Sequence, residues 1–135
     1  MTQYIIAYIA TAIAFAVIDL IWLGYIARNF YFNQIGDLLE FNYVGVVLFY
    51  LVYIAGIVIF AIAPVLAVPE ANKWGLALFM GCMFGFFAYA TYDLTNLAVA
   101  KNWTYAVTVV DIIWGTVLTG SSAAIGYTIT KFFTS

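Results

Sequence analysis

Four runs of predominantly apolar residues, roughly 4–26, 43–66, 74–100 and 105–132, divide this chain. Each reaches the length of about 20 residues that a helix needs to cross a bilayer. Hydrocarbon offers no water to the backbone, so runs this long satisfy their own hydrogen bonds as helices rather than as barrel strands. The expected fold class is an all-α membrane protein with four transmembrane helices in an up-down bundle. Composition agrees, since only 7% of the residues are charged and 67% are hydrophobic, with a mean hydropathy of +1.09. A soluble domain carries about 25% charged residues. So little sequence lies outside the runs that residues 1–135 are expected to form one integral membrane domain. Tyr4, Tyr25, Tyr43, Trp74, Trp103 and Tyr105 flank the runs where an interfacial aromatic belt would place them.

The connections are short. Residues 27–42 mix Arg28, Asp37 and Glu40 with Phe30, Tyr31, Phe32, Ile35, Leu38 and Leu39, which suits either a segment lying among headgroups or a partly packed loop. Residues 67–73 contain Pro69 and Glu70 and should form a tight turn, while residues 101–104 make the last two helices an antiparallel hairpin. Pro64 is expected to kink or end the second helix. Basic residues divide evenly, with Arg28 and Lys101 on one side and Lys73 and Lys131 on the other. The α-amine then tips the positive-inside count toward both termini being cytoplasmic. The N-terminus lacks the basic region of a signal peptide and is expected to be retained as the first helix.

Several function classes fall away. Four scattered basic residues cannot make a phosphate-binding patch, so nucleic acid is not expected as a partner. Histidine is absent and Cys82 is the only cysteine, which removes the usual zinc, copper and haem ligand sets along with any intramolecular disulfide. No metal and no cofactor is expected, and the bilayer itself is the expected partner.

Asp19, Asp93 and Asp111 lie inside the apolar runs, where no lysine or arginine neutralises them. A carboxylate at the bilayer centre costs roughly 2.5–3.5 kcal/mol. At 1.5 Å rise per residue, Asp19 comes out ~6 Å and the other two ~10 Å from the midplane, all on the side of the first and third connections. One acidic layer is expected there. Three bare negative charges in low dielectric would repel strongly, so the layer should hold at least one proton or a cation at neutral pH. Arg28 is long enough to reach inward to one of the carboxylates, or it anchors the surface.

Each aspartate belongs to a helical stripe that should face the bundle interior. The stripes are Tyr4, Tyr8, Thr11, Phe15, Asp19 and Trp22; Cys82, Tyr89, Asp93 and Asn96, with Tyr92 adjacent; and Thr104, Thr108, Asp111, Trp114 or Gly115, and Ser122. Tyr50 and Tyr53 of the second run approach the same layer. Phe15, Phe86, Phe87, Gly81-x-x-x-Gly85 and Gly120-Ser121-Ser122-Ala123-Ala124 read first as packing. Ile18-Asp19-Leu20-Ile21-Trp22-Leu23-Gly24 resembles Val110-Asp111-Ile112-Ile113-Trp114-Gly115, each with Trp three residues after Asp. Such an indole N–H could donate to a carboxylate on a neighbouring helix. The pair is either a trace of an inverted repeat or coincidence, and so short a match favours coincidence.

The stretch Tyr89-Ala90-Thr91-Tyr92-Asp93-Leu94-Thr95-Asn96-Leu97-Ala98, the later Val110-Asp111-Ile112-Ile113-Trp114-Gly115-Thr116 and the early Asp19-x-x-Trp22-Leu23-Gly24 resemble a known pattern. It is that of the small bacterial membrane-protein family catalogued as domain of unknown function 2177. The resemblance covers nearly the whole chain and implies a bacterial inner-membrane protein of four helices. It implies no activity.

Three functions suit these residues. The first is proton- or cation-coupled transport or binding of a small molecule, with Asp19, Asp93 and Asp111 holding the proton or cation. Asn96, Tyr92, Tyr89, Trp22 and Trp114 would shape the pocket, and a four-helix transporter would be expected to pair as a homodimer. The second is a membrane enzyme using carboxyl acid–base chemistry on a lipid or isoprenoid; no catalytic residue beyond the carboxyls can be named, since Ser121 and Ser122 have no base in view. The third is a structural subunit of a membrane assembly. Polar bonds within membranes average only about 0.6 kcal/mol, too little to offset the insertion cost.

Overall fold

The computed structural model describes residues 1–69 and 72–134. Four helices long and apolar enough to cross a membrane run Thr2–Ile26, Tyr43–Leu66, Trp74–Val99 and Tyr105–Thr134, here the first to fourth spans. No strand occurs among the described residues. The spans coincide with the apolar runs except for small extensions, to Thr2 at one end of the chain and Thr134 at the other, and the third span's ending one residue early at Val99.

Local chemistry sets the helix ends. The Asn42 side chain accepts the Gly45 N–H at 3.2 Å and starts the second span. Thr104 does the same for the fourth, accepting the Val107 N–H at 3.1 Å. Between the third and fourth spans Asn102 takes a left-handed φ of 65°, a conformation asparagine tolerates better than most residues. Glu70 of the expected tight turn lies outside the described residues. Beyond it, the Lys73 backbone N–H donates to the Tyr127 phenol at 2.8 Å and ties this connection to the fourth span.

The third and fourth spans pack most closely, because small residues meet there. A Cβ on Gly81 would overlap Ala123 and the Gly120 backbone, and one on Gly85 would overlap the Gly115 carbonyl and Thr119. Gly81-x-x-x-Gly85 is therefore a packing motif, as expected. The first span lies against the other side of the fourth, with Thr11 beside Gly126. Phe15 is fully buried at the centre, its ring edge-on to Tyr50 and Tyr53 at centroid distances of 5.4 and 5.6 Å. Phe86 and Phe87 face outward.

The second span is tight at one end and loose at the other. Its later half buries Ile54, Ile57, Val58, Ala61, Ile62 and Val65. The break expected from Pro64 takes the form of a π-helical turn, Val58–Ile62, immediately before the closing helix Ala63–Leu66. Proline lacks an N–H and crowds the carbonyl four residues back, and a widened turn relieves that crowding. Toward the other end every residue from Tyr43 to Phe49 is exposed, and this half leans chiefly on the first span.

The first connection is itself helical, Arg28–Ile35, followed by a 3-10 turn, Gly36–Leu38. Tyr31 and Ile35 pack inward with Ala27 and Val107, beneath Trp22 and Trp103, while Arg28, Asp37 and Glu40 are exposed. The segment is thus partly packed, as one of its two expected descriptions had it, but as a helix rather than a loop. Arg28 does not reach the aspartates. Its guanidinium sits 5.8 Å from the Phe32 ring centroid, a favourable position for a cation that the interior would otherwise have to desolvate.

Candidate functional site

Asp19, near the C-terminal end of the first span, is almost wholly buried and accepts two hydrogen bonds from two other spans. The Tyr50 phenol donates to Oδ2 at 2.6 Å, and the Trp114 indole donates to Oδ1 at 3.1 Å. Helical periodicity aims Asp19 inward with Thr11 and Phe15; Tyr50 reaches it because the second span leans on the first.

Asp111 is held from a different direction. Tyr31, on the connecting helix, donates to its Oδ1 at 2.8 Å, and the Trp22 indole in turn donates to the Tyr31 hydroxyl at 3.4 Å. Burial and then the charge of Asp111 push the Tyr31 phenol up from its ordinary range, so Tyr31 remains a donor. The two look-alike segments meet here. Trp22 and Trp114 stack with centroids 4.4 Å apart and planes 10° from parallel, and each indole serves the acidic residue of the other segment, Trp114 directly and Trp22 through Tyr31. Tyr31→Phe is expected to leave the bundle folded, lower its stability by about 1 kcal/mol and shift the Asp111 carboxyl stretch; an unshifted infrared band would show that the bond does not form.

Asp93 differs from both. It is 0% exposed, neither of its oxygens receives a donor among the described residues, and its neighbour is the Asp111 carboxyl. Two carboxyls can hydrogen-bond each other only when one carries a proton.

A cavity of about 910 Å³ opens beneath the loose half of the second span. Its walls are mainly apolar, with Leu20, Leu23, Val46 and Phe49 among them, and Asp19, Asp111, Tyr50, Tyr89, Tyr92 and Trp114 supply its polar patches. Tyr89 lies over Gly115, where the absence of a Cβ makes room for the ring. Tyr92 sets its ring edge-on to Trp103 at 5.8 Å, with Asn96 beside it. Of the residues expected at the site, Asp19, Asp111, Tyr89, Tyr92 and Trp114 line the cavity; Asp93 and Trp22 stand one layer behind, through Asp111 and Tyr31, and Asn96 flanks Tyr92. Tyr31 is the residue that sequence reasoning passed over. It lies between Phe30 and Phe32, and no periodicity distinguishes the ring that turns inward.

Fold and site together define a class, the four-span membrane protein with a buried acidic layer. Residues 4–128, nearly the whole chain, match the family described as predicted membrane protein (DUF2177), and the chain belongs to that family. No curated protein and no solved structure matches it.

Proposed function

We propose that this is a proton-coupled carrier or binding protein for a small molecule, acting in a bacterial inner membrane with both termini cytoplasmic. One observation carries the reading: Asp93 is fully buried, lacks any donor among the described residues and lies against Asp111. Leaving both carboxylates bare would combine desolvation with like-charge repulsion in low dielectric. One proton shared between them removes the repulsion and makes the missing hydrogen bond. A metal cation would need several further oxygen donors in addition to the pair.

In this reading Asp93 and Asp111 store the proton, and Asp111 presents it to the cavity. Tyr31 links Asp111 to the connecting helix and so to the side where protons arrive. Asp19, fixed by Tyr50 and Trp114, supplies a second negative charge facing the same space. Carriage across the bilayer, beyond binding alone, would call for a homodimer, since four helices leave a narrow path.

Infrared spectroscopy on the purified protein tests the dyad. A protonated-carboxyl stretch is expected at neutral pH, lost in both Asp93→Asn and Asp111→Asn and retained in Asp19→Asn. A wild-type protein without that band would sink the proposal.

A further inference from the structure

We infer that the cavity takes a hydrophobic monocation, such as a protonated lipophilic amine or a quaternary ammonium or phosphonium ion, that reaches it from the lipid beneath the loose half of the second span. The inference rests on the proton-dyad reading and names its ligand. Three features of the cavity point to this chemistry.

Volume and lining come first. About 910 Å³ with mainly apolar walls suits a molecule that is mostly hydrocarbon, since small-molecule sites run about 300–1,000 Å³. Charge comes second. Among the described residues, the only ionisable carboxyls on the lining are Asp19 and Asp111, and no lysine or arginine appears there. A phosphate or fatty-acid headgroup would face bare repulsion, and a neutral isoprenoid would leave the carboxyls unanswered. The aromatic rings come third. Tyr50, Tyr89, Tyr92 and Trp114 stand on the cavity wall with those carboxyls, and ring faces beside a carboxylate attract organic cations more than neutral or anionic groups.

The route follows from the second span. From Tyr43 to Phe49 it is exposed throughout, so an amphiphile in the bilayer meets the cavity without first crossing a packed helix interface. On arrival the cation's charge lies next to Asp111, and the proton held by the Asp93–Asp111 pair becomes the species it displaces. One positive charge enters the layer and one leaves, so the charge of the buried site is unchanged. That balance provides the coupling.

The test places the full chain in nanodiscs and offers two probes of one shape and opposite charge, tetraphenylphosphonium and tetraphenylborate. The phosphonium is expected to bind saturably without competition from the borate. Asp111→Asn should weaken it at least ~10-fold, with partial recovery in Asp111→Glu. Equal binding of the two probes, or phosphonium binding indifferent to Asp111→Asn, overturns the inference. If the Asn variant does not fold, the wild-type comparison of the two probes decides by itself. The infrared band on the same samples separates the two readings. A protein with the band that ignores the phosphonium overturns the ligand assignment alone; one that binds it without the band upholds the ligand and overturns the proton dyad.

Discussion

Asp93→Asn is expected to melt at a higher temperature than the wild type, with a gain of about 1–3 kcal/mol, and, on the reading proposed above, to lose proton coupling completely. Most substitutions of buried residues destabilise, so the sign is diagnostic. Asp93 is wholly buried beside another carboxyl, and in the dyad proposed above it is kept there only by a proton that a carboxyl in water would not hold at neutral pH, a cost the folded state bears. Asparagine has nearly the same shape, carries no charge, and offers an amide N–H to the Asp111 carboxyl beside it. Removing a carboxyl that costs stability from the site proposed here is the usual setting in which stability and activity trade against one another. Thermal melts of the two proteins in one detergent, together with the infrared band, read both effects. A lower melting temperature for the variant would mean that Asp93 is a structural partner of its surroundings and would remove the energetic argument for a functional role.

The second large effect concerns the seam between the third and fourth spans. Gly85→Val is expected to lower stability by about 2–4 kcal/mol and to abolish the phosphonium binding inferred above. A Cβ at Gly85 would meet the Gly115 backbone carbonyl and the Thr119 side chain, and backbone cannot move aside without parting the helices. Parting them also unseats Tyr89, whose ring occupies the space over Gly115, and separates Asp93 from Asp111. Gly75 is the control on the same span, with nothing within 4 Å of its would-be Cβ. Gly75→Ala should be neutral or gain up to about 1 kcal/mol from helix propensity. If the Gly85 and Gly75 variants melt together, the seam is not held by close approach of the backbones.

Much of this site can be read along the chain, and what cannot shares a cause. The inward faces of Asp19, Asp93 and Gly115 follow from helical period, and the meeting of indole and carboxylate between the first and fourth spans follows from two look-alike segments. Tyr31 could not be found that way, because its partner Asp111 is 80 positions distant and its own helix is short and aromatic on several sides. Tyr50 is placed near the layer by depth, yet its bond to Asp19 depends on the second span leaning on the first. The looseness of the Tyr43–Phe49 stretch, which lines the open side of the cavity, leaves no separate mark in composition.

The sequence by itself determined the four spans to within two residues at each end and the common level of the aspartates along them, because transfer into hydrocarbon is a sum over individual residues and a helix rises by a constant step. Only the tertiary structure decided which carboxyl is donated to and which is left with another carboxyl. It also decided which tyrosine serves which acid and where the bundle stays open. Those outcomes depend on how each helix is rotated and tilted against its neighbours, and in lipid that choice rests on close packing of small residues rather than on hydrophobicity, which every face of these helices shares.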